Sequence, residues 1–510
     1  MPVVQQGSLN TTALITPDLY VQLVAPQVTL LNGVPSNIVG VVGTATWGPL
    51  NSPTILGSMA DYAYNFGSVQ NRKYDMGTIV ATAVLQGANN FRGVRVSDGT
   101  DVAASVTILT NCLTITGKYT GTLGNSISAT VSAGSQANTQ RVTIAVPGQN
   151  AEIFDNIGSG LTGNALWVAI ANAINNGNSA LRSASNWVVA SAGVGVTAPA
   201  AATYSLTGGT DGVTTITSTV LLGADTGTRT GMYALRNTGV SIGILADCDT
   251  STSWTTQVAY GLAEGTYMIL VGPSGDTVSN AVTAKATAGI DSYAAKYLHG
   301  DWIYWNDTVN GITRAVSPQG FIGGLLANLS PEQSSLNKQL QGVVGTQRSY
   351  ANRVYSAAEL TLLGQAGIDV VTNPVPGGAY FGARFGHNTS SNPVTNGDNY
   401  TRMTNYLAYS MNAGMGKFVG RLQSVQSADP TRAQVGATLA AFLEGMKGQR
   451  QIDDYSVQCD LGNNPANRIA LGYLQADVKV RYLGVVEKLL INMEGGQSVQ
   501  IARSTSLATV

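Results

Sequence analysis

Residues 241–271, SIGILADCDTSTSWTTQVAYGLAEGTYMILV, contain two short apolar runs with a helical pattern between them. The runs Ser241–Leu245 and Tyr267–Val271 predict strands that are buried on both faces. Between them, apolar residues at helical spacing predict a helix over Trp254–Leu262. A strand, a helix and a second strand in this order are typical of a βαβ unit on a largely parallel sheet.

The same alternation continues on both sides of this unit. Toward the N-terminus, Ile38–Gly43 and Val94–Val96 predict strands, and Ser58 is the expected N-cap of a helix that ends at Gly67. The other predicted elements are helices over Met76–Asn90, about Asn280–Tyr297, about Tyr400–Met411 and Thr431–Lys447, and strands at Trp302–Trp305, Tyr455–Cys459 and Val478–Met493, with a bend at Gly484. These patterns predict an α/β (α+β) multidomain protein whose core has a mixed, largely parallel sheet with flanking helices.

One long segment differs in composition from the rest of the chain. Thr, Ser, Val, Ala and Gly dominate between the turns Asp98–Asp101 and Gly208–Gly212. Leu113–Thr116 and Arg141–Val146 alternate with period two, which predicts half-buried strands, and one helix is expected over about Asn164–Asn175. We therefore predict a β-rich domain inserted into another, on the outside of any assembly.

The composition favours an assembly protein. Of 510 residues only 11% are charged, 60 are glycine, and 27 basic against 28 acidic residues leave a net charge of -1. A protein with so little net charge lacks the basic field that binds nucleic acid or anionic membranes, and it tends to self-associate. We expect no direct nucleic-acid contact.

The sequence predicts neither export nor membrane insertion. The start, MPVVQQG, lacks the basic and apolar regions of a secretory signal, and prolines interrupt the uncharged stretch Leu19–Ala60. Cys112, Cys248 and Cys459 are isolated, which argues against disulfides and zinc sites and favours buried thiols in a reducing cytosol.

Two catalytic motifs occur in the wrong context. Gly158–Gly163 matches the dinucleotide fingerprint GxGxxG, but it lies in the β-rich segment and no acidic residue follows at the required spacing. Gly239–Gly243 matches the nucleophile elbow GxSxG, with His299 and Asp301 as conceivable triad partners. Because an elbow follows a strand and Ser241 starts one, a strand serine is the better interpretation.

Little else could carry chemistry. His299 and His387 are the two histidines, and we expect both in loops or at the surface. The acid pairs Asp247 with Asp249 and Asp453 with Asp454 are expected to be solvated. The sequence has no P-loop motif, so we predict a protein that is not an enzyme and has no cofactor or metal.

Several stretches together resemble the contractile phage tail sheath family. Their order along the chain carries the resemblance more than any one of them. They are Thr16–Val21 (TPDLYV, with Asp18 where the family has glycine), Val39–Asn51 (VGVVGTATWGPLN), Asp61–Gly67, Thr228–Leu235 (TRTGMYAL), Ser292–Tyr297 with Trp302, Val316–Leu325 (VSPQGFIGGL), and Cys459-Asp460 with Asn464-Pro465.

The resemblance implies a structural subunit that polymerises as stacked hexameric rings around a tail tube. Such a sheath contracts and drives the tube through the host envelope. It implies as partners further copies of this chain, the tail tube protein, and the baseplate and tail terminator proteins. The implied location is the virion tail, assembled in the bacterial host cytoplasm.

Both termini are predicted to be arms that link subunits. Met1–Leu14 has no charge and no periodic apolar face, and Gly495-Gly496 separates the last predicted sheet from the strand-like Ser498–Ala502. A strand beyond a glycine hinge is a candidate for β-augmentation of a neighbour. The proposed arm residues are Val3, Val4, Leu14, Ile15, Leu19, Tyr20, Val21, Ser498, Val499, Gln500 and Ile501. The predicted division is an arm 1–20, a discontinuous core 21–98 plus 213–495, an inserted outer domain 99–212 and an arm 496–510.

A basic helix is the candidate for contact with an acidic tube. In the predicted helix near Thr431–Arg450, the bases Arg432, Lys447 and Arg450 outnumber Glu444. A solvated helix face is the equally weighted alternative.

Two other function classes stay open at this point. A surface-layer or adhesin-type self-assembling protein would share the richness in Thr, Ser, Gly and Asn, but it would need export and would not devote half its length to βαβ alternation. A serine hydrolase would depend on Ser241 alone.

Overall fold

The computed structural model describes residues 3–6, 20–23, 31–179 and 182–493. Their strands are β1 (Val3–Gln6), β2 (Tyr20–Leu23), β3 (Val39–Gly43), β4 (Thr54–Leu56), β5 (Phe91–Arg95), β6 (Ser105–Ile108), β7 (Leu113–Gly117), β8 (Ser128–Ala133), β9 (Gln140–Ala145), β10 (Glu152–Ile157), β11 (Val188–Ala192), β12 (Ala202–Ser205), β13 (Ile242–Leu245), β14 (Tyr267–Val271), β15 (Ala295–Leu298), β16 (Ile303–Asp307), β17 (Ile312–Val316), β18 (Val343–Thr346), β19 (Val371–Thr372), β20 (Gly382–Ala383), β21 (Ile452–Gln458) and β22 (Asp477–Tyr482). Their helices are α1 (Met59–Phe66), α2 (Met76–Leu85), α3 (Leu109–Cys112), α4 (Gly163–Asn176), α5 (Ser218–Leu222), α6 (Trp254–Glu264), α7 (Val278–Ala288), α8 (Gln319–Asn328), α9 (Gln347–Tyr350), α10 (Ala357–Gln365), α11 (Asp398–Met415), α12 (Pro430–Gly448) and α13 (Ala466–Ala470).

A six-stranded sheet forms the centre of the core, in the order β15-β14-β13-β3-β5-β4. Every neighbouring pair except β4 with β5 is parallel. Successive side chains of β3 point to opposite faces, so Val41 joins one apolar cluster and Val42 the other. Helices α2 and α8 cover the first face, and α6 and α7 cover the second. The predicted largely parallel sheet with flanking helices is confirmed.

The first helix of the core begins where the sequence predicts. The Ser58 hydroxyl accepts a hydrogen bond from the Asp61 N–H at 3.2 Å and so satisfies one free donor of α1. The helix ends at Gly67, whose φ of 85° is a conformation that other residues rarely adopt.

Two further sheets lie within residues 105–205, in the orders β10-β9-β8-β12 and β11-β7-β6. With α4 they enclose their own apolar cluster, which includes Phe154 and Trp167. Trp47 from the core belongs to the same cluster and is only 2% exposed. The β-rich insertion is as expected, whereas its boundaries at 99 and 212 and its outer location stay predictions.

Polar contacts join the inserted segment to the core. Arg72 Nη1 pairs with Asp211 at 2.6 Å. The buried Arg95 donates through Nη1 to the Gly48 carbonyl at 2.9 Å and to the Thr120 carbonyl at 2.7 Å. The two ends of the segment also meet, through the Asp98 N–H and the Gly212 carbonyl at 2.8 Å. The segment is therefore mounted on the core by a packed joint.

The last part of the described chain forms what we call the C-terminal unit, residues 398–482. It consists of the long helices α11 and α12 and the antiparallel hairpin β21-β22, with α13 between the hairpin strands. One apolar cluster, with Met403, Leu443 and Ile452 at its centre, joins both helices to the hairpin. Along the chain, two smaller sheets, β17-β16-β18 and β19-β20, come after the last strand of the central sheet and before this unit.

Four predicted elements are wrong in extent or pairing. The helix predicted over Asn280–Tyr297 ends at Ala288, because Gly289 adopts a left-handed conformation, and Ala295–Leu298 is strand β15. The strand at Trp302–Trp305 belongs to a separate antiparallel sheet.

The helix predicted to reach Asn90 ends at Leu85. The strand region predicted over Val478–Met493 stops at Tyr482, where pairing with β21 ends. The alternating apolar pattern therefore continues past Tyr482, although β21 offers no partner residues there.

Candidate assembly interface

Strands β1 and β2 form a two-stranded parallel sheet. Val3 pairs with Tyr20 and Val4 with Val21, so these four proposed arm residues share one ribbon. Within the described residues neither strand pairs with any other, which leaves both outer edges open. The proposed arm residues Leu14, Ile15, Leu19, Ser498, Val499, Gln500 and Ile501 lie outside the described residues.

The hairpin β21-β22 is the second two-stranded ribbon with free edges. Its strands pair only with each other among the described residues, with a register shift between Ile452 and Asp454. One of its faces packs on α12 through Leu443 and Met446. An isolated two-stranded ribbon is marginal in water, so the helices fix its position and leave its edges available for pairing.

An exposed apolar segment, residues 483–493, follows β22 without helix or strand. Five large apolar side chains in it are between 76% and 89% exposed: Val486, Leu489, Leu490, Ile491 and Met493. Two polar contacts hold it: His387 Nε2 lies 2.8 Å from the Glu487 carboxylate, and the Asn399 side-chain amide donates to the Leu483 carbonyl at 3.1 Å. Contiguous apolar side chains of this size mark a surface that another chain covers.

An apolar groove of about 540 Å³ lies between the two long helices and the hairpin. Met415, Phe418, Val435 and Leu474 are among its walls. Since α11, α12 and β22 all contribute, the groove exists only in the folded C-terminal unit.

A buried charge cluster fastens the C-terminal unit to the central sheet. Lys296 on β15 has its Nζ 2.6 Å from Asp369 and 3.0 Å from Asp398, and all three side chains are fully buried. Burial alone would lower the pKa of Lys296, but the two carboxylates outweigh it and raise that pKa. Burial likewise opposes the ionised form of Asp398, yet Lys296 and hydrogen bonds from Ser335 and Tyr267 hold its pKa below the ordinary value. Lys296 is therefore a fixed cation that binds the first turn of α11 to the sheet.

A signal for this cluster is present in the sequence. Lys296 is a lone charge in the apolar strand Ala295–Leu298, and a charge in a strand buried on both faces needs a partner. Nothing local identifies Asp369 and Asp398 as those partners, because they follow 73 and 102 residues later.

The basic helix α12 presents fewer charges than predicted. Arg432 is 2% exposed, and its guanidinium donates to the carbonyl groups of Ser424 and Gln426. Including it among tube-contact residues was wrong, because its charge holds a loop of its own chain. Lys447 pairs with Asp454 at 2.9 Å on the surface, and Arg450 is exposed just beyond the helix.

The hydrolase triad is not assembled. Ser241 lies just before β13 and donates to the carbonyl groups of Ser36 at 2.9 Å and Ile38 at 3.0 Å. His299 follows the other end of β15, so the two residues lie at opposite edges of one parallel sheet. Asp301 accepts from the Tyr355 hydroxyl at 3.0 Å and the Arg348 N–H.

His299 lies in the loop after β15, one of the two positions expected for it, but it is not at the surface. It is 2% exposed, and burial lowers the pKa of its ring to about 4. His387 is half-buried beside Glu487.

Asp247 is likewise buried, and the loss of hydration raises the pKa of its carboxyl. Its predicted companion Asp249 pairs with Lys73 at 2.8 Å. Asp453 and Asp454 are exposed as predicted, each in contact with Arg481.

The glycine fingerprint occurs in the wrong topology. Strand β10 does lead into Gly158, and α4 follows Gly163. However, β10 is an edge strand that pairs antiparallel with β9, so the parallel βαβ unit that a dinucleotide requires is absent there.

The described residues hold no group of three His, Cys, Asp or Glu side chains suited to a metal ion. No helix within them has the length and apolar character to span a bilayer. Cys112 and Cys248 are buried free thiols, and Cys459 is half-buried.

No protein-family model matches the sequence, and no curated protein matches it. Solved structures do match. A sheath tail protein from Desulfitobacterium hafniense is 15% identical, over 87% of this chain and 93% of its own, with a TM-score of 0.58. A sheath tail protein from Listeria innocua is 12% identical, over 89% and 96%, with a TM-score of 0.59. The helical sheath of the anti-feeding prophage in its contracted state is 11% identical, over 94% and 98%, with a TM-score of 0.54.

At these identities the match is one of fold. It spans the core, the inserted segment and the C-terminal unit together, since 87–94% of this chain is covered. The structural neighbours are thus sheath tail proteins and sheaths of contractile injection systems, as the resemblance predicted, and this chain has their fold.

Proposed function

We propose that this chain is the structural subunit of a contractile phage tail sheath. It polymerises as stacked hexameric rings around a tail tube, and contraction drives the tube through the host envelope. The observation that carries the proposal is the match of nearly the whole chain to sheath proteins, including one in a contracted helical sheath.

Self-assembly is supported by the open ribbons at the two ends of the described chain. The β1-β2 ribbon and the β21-β22 hairpin each offer unpaired backbone groups. Edge pairing joins chains through backbone hydrogen bonds and makes few demands on side chains, so the joints survive when the side-chain contacts between subunits change. The exposed apolar segment 483–493 supplies the area that such a joint would bury.

Contraction requires subunits that move as bodies between two packing arrangements. The fully buried cluster of Lys296, Asp369 and Asp398 supports such a body, because it ties the C-terminal unit to the sheet without access to water. The free-energy difference between the two arrangements then lies in contacts between subunits.

The proposed tube contact is now confined to Lys447 and Arg450. Reversal of both charges to Glu should weaken tube-templated assembly at low salt and have less effect at high salt, because exposed ion pairs are screened. Lys118→Glu, which reverses an exposed charge on the inserted segment, is the matched control. Equal assembly of both variants at low and high salt would contradict the contact.

The proposed partners, besides further copies of this chain, are the tail tube protein and the baseplate and tail terminator proteins. The proposed location is the virion tail, after assembly in the bacterial cytoplasm. No enzymatic activity, cofactor or membrane insertion forms part of the proposal.

Electron microscopy of the purified full chain tests the proposal. Striated tubes are expected; planar lattices would indicate a surface-layer protein, and isolated particles would contradict assembly. Removal of residues 1–15, or of everything after Gly496, should give a folded monomer by sedimentation and circular dichroism. Full-length striated tubes from either truncated chain would contradict the role of the arms.

A further inference from the structure

A cavity of about 200 Å³ opens between β18, the loop after α9 and the β19-β20 region. Three arginines line it: Arg348, Arg353 and Arg384. Tyr355 and Phe381 complete its apolar walls. None of the described residues that line this cavity is a carboxylate.

Only one of the three guanidinium groups is neutralised. Arg348 pairs with Glu359 at 2.7 Å and lies 4.0 Å from the centre of the Tyr355 ring, and its Nε is buried without a hydrogen-bond partner. Within the described structure, the side chains of Arg353 and Arg384 form neither an ion pair nor a hydrogen bond.

The acids near this site belong to a different cavity. Asp276, Asp301 and Glu359 line a neighbouring space, to which Arg348 and Arg353 also contribute. Arg384 lines the first cavity and not the second. A cavity of this volume is roughly 7 Å across, which is less than the Debye length at physiological salt. Salt therefore does not screen the arginine side chains from one another, and their positive charges repel unless an anion lies between them.

Guanidinium groups recognise planar or tetrahedral oxyanions through paired N–H donors. We propose that this arginine cavity receives a carboxylate side chain from a second copy of the chain in the assembled sheath. This inference rests on the proposed function, since only a polymer places another copy at that surface.

A second copy is favoured over a free anion by the charges that remain elsewhere. Asp460 is exposed in the turn after β21, and its carboxylate accepts hydrogen bonds from the Gln458 side-chain amide at 3.1 Å and the Gly462 N–H at 2.8 Å, with no basic group among its contacts in the described structure. The chain has 27 basic and 28 acidic residues in total. Since one copy has unpaired basic residues at the cavity and an acidic residue without a basic partner at another site, two copies can neutralise both by pairing these charges across their interface.

The test compares self-association of the full chain and of single charge reversals by sedimentation velocity at low salt. Arg384→Glu and Arg353→Glu should each raise the concentration needed for association about tenfold. Lys118→Glu, which reverses an exposed charge on the inserted segment, should change it less than about twofold. Circular dichroism and thermal unfolding establish that all variants fold, and Arg384→Gln, which adds no negative charge, should give a smaller effect than Arg384→Glu.

Inorganic phosphate distinguishes the two sources of the anion. If the cavity docks a second copy, phosphate should weaken association of the wild-type chain more than sodium chloride at equal ionic strength, and Arg384→Glu should abolish that difference. Phosphate binding to the monomer with unchanged association in both reversals would overturn the inference and leave the proposed function intact. A wild-type chain that does not associate at any concentration would overturn both.

Discussion

Replacement of Lys296 by methionine tests whether the buried charge cluster holds the C-terminal unit to the sheet. Methionine keeps most of the side-chain volume, so the change removes the ammonium without leaving a large cavity. The carboxylates of Asp369 and Asp398 then remain fully buried without a cation.

The expected cost follows from the partners that stay. Removal of one member of a buried ion pair costs about 3–5 kcal/mol, because the other charge is left uncompensated. Here hydrogen bonds remain to Asp398 from Tyr267 at 2.6 Å and from Ser335, and to Asp369 from the N–H groups of Phe385 and Gly386. These bonds keep the loss within that range, and we expect a decrease of about 4 kcal/mol in the free energy of unfolding at pH 7.

The pH dependence gives the cluster a signature that simple loss of packing lacks. In the wild-type chain the pKa of Asp398 is lowered, so its stabilisation is complete above the unfolded-state pKa of about 3.9 and is lost as the pH falls below it. In Lys296→Met, burial dominates and raises the pKa of that carboxyl above the unfolded value. The folded variant then binds more protons than the unfolded one, so its stability rises as the pH falls from 7 toward 4.5. The difference between the two chains should therefore shrink on acidification.

Urea unfolding of both chains at pH 7 and pH 4.5 measures this difference, and hydrogen exchange in α11 reports whether its first turn detaches. Lys285→Met is the matched control. Lys285 is also buried, but it donates to the carbonyl groups of Ala366 and Thr389, so its replacement leaves no buried carboxylate without a cation. A loss below about 1 kcal/mol, or a loss that is equal at both pH values, would refute the role assigned to the cluster.

Three further changes test other parts of the structure. Trp47→Ala should cost about 3–5 kcal/mol and make the joint to the inserted segment sensitive to protease, because this core side chain is buried in the insert's cluster; retained protease resistance would contradict the packed joint. Ser241→Ala should lower stability by about 1 kcal/mol, through loss of the one hydroxyl donor that the Ser36 and Ile38 carbonyl groups share, and leave assembly unchanged, whereas a specific loss of esterase turnover would revive the hydrolase hypothesis. The pKa of His299 is lowered to about 4, so the wild-type chain should lose stability as the pH falls from 6.5 toward 4, and His299→Phe should flatten that slope in urea titrations; an unchanged slope would assign it to other groups.

Local patterns were enough to predict most of the elements. The apolar runs of β3, β13 and β14 are buried at every position, and a run of that kind has few alternatives to a central strand. The inserted β-rich segment was visible in its period-two strands, and the N-cap at Ser58 in its hydroxyl. These features depend on residues within about one turn of each other, so they can be read from a single sequence.

Elements whose limits depend on a distant partner could not be predicted. β22 ends at Tyr482 although the apolar pattern continues, because β21 offers no further pairing. The sequence predicts the end of a helix where β15 lies, because Ala295–Leu298 is short and carries a lysine whose partners are remote. Strand limits are set by neighbours, which a linear pattern does not contain.

The residues of the candidate assembly interface show the same contrast between features that the local sequence predicts and features that depend on distant residues. Residue types and their order are enough to predict the fold class and the family resemblance. The folded structure is needed to show that Arg432 and His299 are buried, that Lys296 contacts Asp369 and Asp398, and that Arg384 shares a cavity with Arg348 and Arg353. The reason is physical: the cost of a charge depends on its burial and its partners, and in a folded chain both are supplied by residues far away in the sequence.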